Sequence, residues 1–307
     1  MERRVVLTIQ LEHIALFKKI AEAKSISKVA QVSHLSQPAL SLQMQRLEDE
    51  VGQKLFERSN KGIELTAAGE ILLRYAEEFN ALYDNFMKDI EHLQSSESPF
   101  TIAAFPDGAS YAIPCTLFTA NKVFPSYTFY LSSLPNDEVI RAVKYEHADI
   151  GFIMGACPDE ELLCKAAFTD KICLVAHSAY NTARLKQLAD IIHYPLLMLN
   201  DQMRKDHPLH AYMTERGYDL DMLKIASRFD TTESIKSGVS ARHGIAFMPY
   251  MAIKKELYLK QFKIVEIPDF DFLLQINLIS KPLTDVSDVC KKDIINYIIE
   301  VAGKSIC

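Results

Sequence analysis

The sequence predicts an α/β protein in which a small helical head and a long helix precede a two-lobed α/β unit. Three patterns support this prediction. Short helical patterns occupy residues 1–65, a seven-residue apolar repeat runs through residues 66–96, and strand-like apolar runs alternate with amphipathic helices over residues 97–307. The composition, 49% apolar and 24% charged over 307 residues, is that of a globular chain long enough for more than one domain.

The head is predicted to be a winged helix-turn-helix. Apolar residues at helical spacing predict a first helix over Leu11–Ala23. Ser27 is placed to cap a second helix over Lys28–Ser33. Ser36 is placed to cap a third helix, which continues to Glu50 and is followed by Gly52 as a stop. Two strand patterns joined by a turn follow, and three helices with a β-hairpin make up this fold.

The third helix has one apolar face, on which Leu40, Met44 and Leu47 are spaced to face the core. The residues that point elsewhere are Gln37, Ala39, Ser41, Leu42 and Gln45. The outward face is therefore short and uncharged.

A seam of large apolar residues runs along the long helix. Its members are Leu72, Phe79, Leu82, Phe86 and Leu93, and all but Leu82 are spaced by seven. Such a seam either packs on its own protein or pairs with a second copy. Strict seven-residue spacing between two domains favours pairing, so residues 66–96 are predicted to be a dimerisation helix.

The alternating pattern after residue 97 predicts parallel sheets with helical crossovers in two lobes. We assign residues 97–168 and 272–307 to lobe I and residues 169–271 to lobe II. Ligands of open α/β sheets bind beyond the carboxyl ends of the strands. A small-molecule cleft is therefore expected between the lobes.

The net charge of −6 argues against a protein that holds nucleic acid by bulk electrostatics alone. That value is an average over unlike parts. Residues 1–65 contain ten Lys and Arg against eight Asp and Glu, a net +2, and the remainder carries −8. The head is the only net-positive part of the chain.

We expect a cytoplasmic protein without membrane contact, because the N-terminal apolar run is too short for a signal peptide or a membrane span. No cofactor or metal site is predicted, and the segment DHPLH at 206–210 is interpreted as a solvated turn. The six cysteines form no CxxC pair and are expected to be buried small residues: Cys115, Cys157, Cys164, Cys173, Cys290 and Cys307.

Five segments of the head resemble the LysR-type transcriptional regulators in order and spacing. They are AEAKSISKVA at 21–30, SQPALS at 36–41, RLE at 46–48, GQKLFER at 52–58 and LTAAGE at 65–70. Segments similar to that family's effector domain are FPSYTFYL at 124–131, HADIGF at 147–152 and GIAFMP at 244–249. The resemblance implies a winged helix-turn-helix, a dimerising linker helix and a periplasmic-binding-protein-like effector domain, commonly assembled as a tetramer.

The implied function is transcriptional control at a promoter operator, with double-stranded DNA, a small-molecule effector and RNA polymerase as partners. By position in that family, the residues at or near DNA are Ser36, Gln37, Pro38, Ala39, Ser41, Leu42, Gln45, Arg58 and Lys61. A Gln can pair with adenine through two hydrogen bonds, whereas Arg58 and Lys61 can neutralise phosphates.

Many relatives have basic residues where Leu42 and Gln45 stand. Leu42 either touches a thymine methyl or is an exposed residue without a base contact. Without these two charges, a single head is expected to bind DNA weakly. Useful affinity is then expected to come from two or four heads on one site.

Candidate effector-binding residues also follow from the resemblance: Phe105, Asp107, Gly108, Met154, Asn200, Asp201, Thr231 and Thr232. Asp107 either caps the helix after the first strand or contacts the ligand. If Asp107 faces the cleft, a carboxylate effector would meet repulsion there. A cationic, hydroxylated or neutral effector is then favoured.

Three other functions are alternatives for a chain with this pattern. An enzyme is not expected, because the sequence has no nucleophile elbow, phosphate loop, dinucleotide fingerprint or HExxH motif. A free-standing solute-binding protein would have an export signal and no head. A redox-responsive regulator of the same architecture would pair Cys157 with Cys164, although the acidic loop between them raises thiol pKa values and opposes reactivity.

Overall fold

A computed structural model of the chain describes residues 10–59, 62–92, 98–282 and 289–302. The chain divides into two compact units, Met1–Ser95 and Ser96–Cys307. None of the described helices combines the length and the apolar character needed to cross a bilayer.

The first unit is a winged helix-turn-helix followed by a long helix, as predicted. Its elements are α1 (Leu11–Ala23), α2 (Ile26–Val32), α3 (Gln37–Val51), β1 (Phe56–Ser59), β2 (Gly62–Leu65) and α4 (Ala67–His92). Strands β1 and β2 pair antiparallel and form the wing. The side chains of Phe17, Leu40 and Leu47 are fully buried in the core. The Phe17 ring lies 5.0 Å from the ring of Phe56, which joins α1 to the wing.

The predicted start of α2 is wrong by two residues. Ser25, not Ser27, caps this helix, and its hydroxyl accepts a hydrogen bond from the backbone N–H of Lys28 at 3.3 Å. Either serine satisfies the local preference for a cap. Packing decides between them, because Ile26 is buried in the core and lies in the first turn.

The second unit alternates strands and helices. Its elements are β3 (Ser98–Ala104), α5 (Ile113–Val123), β4 (Tyr127–Ser133), α6 (Asn136–Lys144), β5 (Ile150–Met154), β6 (Leu163–His177), β7 (Leu196–Leu199), α7 (Pro208–Glu215), β8 (Ile225–Phe229), α8 (Thr232–Ser240), β9 (Ile245–Pro249), α9 (Tyr250–Tyr258), β10 (Phe262–Ile264), β11 (Phe272–Ser280) and α10 (Val289–Ala302). The sequence patterns did not predict β8 and β10.

The described strands of the second unit form one sheet, in the order β4-β3-β5-β11-β6-β9-β7-β8 with β10 on β6. The prediction of parallel sheets is therefore only partly right. Pairs β3–β4, β3–β5, β7–β8 and β7–β9 are parallel. Strands β6 and β11 run antiparallel to each other and to their other neighbours.

These two antiparallel strands connect the lobes. Strand β6 runs through the predicted lobe boundary at residues 168/169 and leads into the second lobe, and β11 leads back. Strands that carry the chain out and back must point in opposite directions when they lie side by side. The two lobes consequently share one continuous sheet.

Candidate functional site

The outer face of α3 is exposed over its first turns. The Ser36 hydroxyl accepts a hydrogen bond from the backbone N–H of Ala39 at 3.3 Å, and Gly52 ends the helix with a φ of 73°. Both features confirm predictions. The core-facing residues are confirmed as Leu40, Met44 and Leu47. The predicted contact residues are exposed at Ser36, Gln37, Pro38, Leu42 and Gln45 and half-buried at Ala39 and Ser41.

Gln37 is held against the neighbouring helix. The Ser27 hydroxyl donates a hydrogen bond to Oε1 of Gln37 at 3.2 Å, so Ser27 orients a candidate contact residue instead of capping α2. A carboxamide offers two acceptor lone pairs and two N–H donors. The Ser27 bond uses one lone pair of Oε1. The other lone pair and the two N–H donors remain available to pair with the edge of an adenine in the major groove.

The cations of the head lie on several elements. Arg58 is on β1 opposite Ile63, and Lys61 lies outside the described residues. Lys28 on α2 and Arg46 on α3 are exposed cations that the sequence reasoning did not single out. Arg46 follows Leu42 by four residues and therefore lies on the same face of α3. This helical spacing is the sequence signal that could have identified Arg46 as a candidate DNA contact.

The apolar seam of α4 has a covered part and an exposed part. Leu72 packs against the core of the head, beside the fully buried Ala76, so Leu72 contributes to the head itself. Phe79, Leu82 and Phe86 are 44%, 68% and 57% exposed. Leu93 lies outside the described residues. Further exposed apolar residues on this stripe are Tyr75, Tyr83 and Ile90.

A cleft in the second unit contains two adjoining cavities, of about 330 Å³ and 360 Å³. The predicted effector residues that line the first cavity are Phe105, Asp107, Met154, Asp201, Thr231 and Thr232. Asn200 lines the second. Gly108 lines neither: it is buried against the Phe105 ring, which a Cβ on Gly108 would approach to 2.7 Å.

Asp107 bridges the two lobes. Its Oδ1 accepts a hydrogen bond from the Thr232 hydroxyl at 2.6 Å. The capping interpretation is wrong, because Asp107 has helical dihedrals and makes no capping hydrogen bond. Burial raises the pKa of the Asp107 carboxyl to about 6, the carboxylates of Asp201 and Asp170 add to this effect, and the Thr232 bond opposes it.

A second polar bridge between the lobes was missed by the sequence reasoning. The Tyr111 hydroxyl donates to Oε1 of Glu233 at 2.7 Å. Nζ of Lys236 lies 2.9 Å from the same oxygen and 2.8 Å from Oε1 of Glu256. Burial and the Glu233 carboxylate raise the pKa of the Tyr111 phenol, and hydrogen bonds from Tyr111 and Lys236 lower the pKa of Glu233. No local pattern joins residues 122 positions apart.

The second cavity contains polar groups that pair with one another. Nε and Nη2 of Arg204 donate to the Asp206 carboxylate at 3.0 and 2.7 Å. The predicted solvated turn is right for the exposed Asp206 and wrong for 208–210, which begin α7, because Pro208 is tolerated in a first helical turn. His207 Nδ1 accepts from the Leu209 N–H at 3.1 Å, and burial lowers the pKa of His207. Within the described ranges, no cluster of His, Cys, Asp and Glu could hold a metal ion.

The prediction that the cysteines are buried is confirmed for Cys173 and wrong for several others. Cys115 and Cys157 are half-buried, Cys164 and Cys290 are exposed, and Cys307 lies outside the described residues. Cys164 lies near the start of β6, where the strand is exposed. Cys157 and Cys164 are both free thiols, and burial raises the pKa of Cys157, which lowers its thiolate fraction. These observations do not favour the redox alternative.

Two family models match the chain over most of its length. Residues 11–70 match the bacterial regulatory helix-turn-helix protein, lysR family, and residues 94–289 match the LysR substrate binding domain. A winged helix-turn-helix with an exposed polar helix face, joined to a two-lobed α/β unit, defines a DNA-binding transcriptional regulator. The chain belongs to the LysR family of these regulators.

Relatives match along nearly the whole chain. A probable RuBisCO transcriptional regulator from Cyanidioschyzon merolae is 28% identical over 284 residues, which cover 90% of this chain and 93% of that protein. A protein of the same name from Synechocystis sp. is 26% identical over 278 residues, 89% of this chain and 81% of that protein. The solved structure of full-length CbnR complexed with its target DNA is 19% identical, covers 97% of this chain and 100% of that chain, and superposes with a TM-score of 0.61. At this identity the structural likeness shows the fold.

Proposed function

We propose that a small molecule bound in the cleft of residues 97–307 controls DNA binding by the head. The observation that supports this proposal is a cavity of about 330 Å³ lined from both lobes. The Asp107–Thr232 and Tyr111–Glu233 hydrogen bonds join the lobes at its wall. A cavity of this size is at the lower end of small-molecule sites.

A ligand in this cleft touches both lobes and so acts on their relative position. It regulates DNA binding only if it prefers one arrangement of the protein over another. A ligand that replaces either bridge bond changes the contacts between the lobes. We propose that this change alters the arrangement of paired heads on a promoter and their encounter with RNA polymerase.

A metabolite screen by thermal shift on the full-length protein tests the proposal. At least one compound is expected to raise the melting temperature and change the DNase I footprint, because a ligand at a hundred times its Kd stabilises by about 2.7 kcal/mol. A stabilising compound that left the footprint unchanged would show binding without regulation. A screen with no stabilising compound would contradict the proposal.

For DNA contact, we propose that α3 enters the major groove with Gln37 at a base edge. Gln37→Ala is expected to lower discrimination between operator and mutated sites by about 1–3 kcal/mol at one base pair. The matched variant is Lys61→Ala, which should weaken all sites alike and reduce the salt slope by about one. Fluorescence anisotropy with an operator duplex and a mutated duplex, over a series of salt concentrations, measures both the discrimination and the salt slope. If the two variants lowered every affinity equally, the recognition-helix assignment would be wrong.

For assembly, we propose that the exposed part of the α4 seam pairs two copies of the chain. Phe79, Leu82 and Phe86 are large and exposed in a single copy, and burying such side chains stabilises a dimer. Leu93 would extend this seam at its far end, whereas the predicted seam residue Leu72 packs against the core of the head. Two dimers would then form the tetramer that the family resemblance implies.

A further inference from the structure

The two cavities of the cleft are lined by many more carboxylates than cations. The acidic lining residues are Asp107, Asp137, Asp201, Asp206, Asp230 and Glu233. Among the lining residues that the structure describes, Arg204 is the one Lys or Arg side chain. The cleft as a whole therefore attracts positive charge.

Some of these carboxylates already have a cation. Asp206 accepts hydrogen bonds from two nitrogens of Arg204, and Glu233 is bound by Lys236 at 2.9 Å. Asp137 lies 3.6 Å from Arg141 on the exposed side of α6. Arg204 and Lys236 are thus committed to protein carboxylates, so an anionic ligand would have to compete for them.

Three other carboxylates have no ion pair within 4.0 Å in the part of the chain that the structure describes, namely Asp107, Asp201 and Asp230. Asp230 accepts a hydrogen bond from Asn200 at 2.6 Å. Oδ1 of Asp201 is buried and has no hydrogen-bond partner. A buried acceptor left unpaired costs free energy, and a positive charge bound beside the Asp201 carboxylate would offset part of that cost.

We propose that the effector is a small organic cation, an amine or a guanidine, whose charged group is bound by Asp107 and Asp201. This inference rests on the proposed function of the cleft. Both carboxylates line the first cavity, and N–H donors that carry a positive charge form stronger hydrogen bonds than neutral ones. A bare metal ion does not fit, because the described residues contain no cluster able to hold one.

The remaining wall of the first cavity suits a short hydrocarbon stem. Phe105, Ile172 and Leu274 line it together with the acids. An apolar wall with a few placed polar groups is typical of small-molecule sites. The ligand is therefore expected to combine a charged nitrogen with a chain of a few carbons.

Binding of a cation is expected to release protons. The carboxyl of Asp107 has a pKa of about 6, and an adjacent positive charge lowers it. Affinity should then rise with pH from about 5 to about 7.5, because Asp107 must ionise to pair. The groups around Asp107 are Thr232, Asp201, Asp170 and Lys236, with Glu233 and His207 in the same cavity wall.

The test is isothermal titration of the full-length protein with probes that share a four-carbon stem and are positively charged, neutral or negatively charged. The cationic probes are 1,4-diaminobutane and 4-guanidinobutylamine, the neutral probe is 1,4-butanediol and the anionic probe is succinate. At least one cationic probe should bind at pH 7.5 ten or more times tighter than the neutral and anionic probes. Its affinity should fall tenfold or more in Asp201→Asn. It should be unchanged in Asp271→Asn, whose exposed carboxylate pairs with Lys171 outside the cavities.

Three outcomes overturn the cation proposal: tighter binding of succinate or butanediol, no binding of either cationic probe, or equal binding to Asp201→Asn. The metabolite screen distinguishes a failure of the cation proposal from a failure of the proposed function of the cleft. If anionic or neutral metabolites stabilise the protein and shift its footprint, the cleft is an effector site of another chemistry. If no metabolite of any charge does so, the proposed function falls as well.

Discussion

Phe79→Asp is expected to convert the protein to monomers and to lower its affinity for a two-site operator by about 10²- to 10⁴-fold. Phe79 lies at the middle of the α4 seam and is 44% exposed in one copy. Placing a carboxylate there would bury an unpaired charge in the dimer, which is strongly unfavourable. Linking two heads raises their overall affinity for a two-site operator by a factor of this size without any new contact. That gain in affinity is lost when each head binds separately.

Sedimentation velocity and anisotropy with one-site and two-site duplexes measure this effect. Arg74→Gln is the matched control, because it also changes the charge by −1 but lies at an exposed position of α4 outside the apolar seam. Binding to the one-site duplex should be unaffected in both variants. Persistence of dimers in Phe79→Asp would mean that another surface joins the two copies.

Asp107→Asn is expected to stabilise the protein at pH 7.5 by about 1–3 kcal/mol. The folded protein raises the pKa of this carboxyl from 3.8 to about 6, so the folded state binds the proton more tightly than the unfolded state. Stability therefore falls as pH rises between about 4 and 6, and the loss persists above that range. An amide carries no charge and still accepts the hydrogen bond from Thr232.

Calorimetric unfolding at pH 7.5 and at pH 4 tests this expectation. The gain should be present at the higher pH and nearly absent at the lower one, because the wild-type carboxyl is then protonated. Asp271→Asn is the control, since it removes an exposed surface pair that contributes little. A loss of stability in Asp107→Asn at pH 7.5 would mean that the ionised carboxylate contributes favourably to the fold.

The head was predictable from local chemistry. The bounds of α1, the Ser36 cap, the Gly52 stop and the buried face of α3 all depend on residues within a few positions of one another. The error at the start of α2 arose because Ser25 and Ser27, two residues apart, satisfy the same local rule. Ser25 is the cap because Ile26 packs into the core of the head from the first turn of α2. Such packing depends on the whole core and not on the local sequence.

The location of the cleft was predictable from the sequence, but the contacts between its lining residues were not. Strand ends brought Asp107, Asp201 and Thr232 to one cavity, as the general rule for open sheets implies. Tyr111 and His207 were missed, because nothing in their neighbourhood in the sequence marks them as lining residues. The mixed direction of the sheet was also missed, because an apolar run has the same composition in a parallel and an antiparallel strand.

The sequence by itself determined the order of the units, helix α3 with its exposed outer face and the apolar seam of α4, because periodicity, caps and motif spacing act over a few turns of chain. Only the tertiary structure decided that Asp107 faces Thr232 across 125 positions and that Leu72 belongs to the core of the head. It alone revealed the buried, unpaired oxygen of Asp201. The electrostatics of a buried carboxylate depend on which distant groups surround it, and that arrangement exists only once the chain has folded.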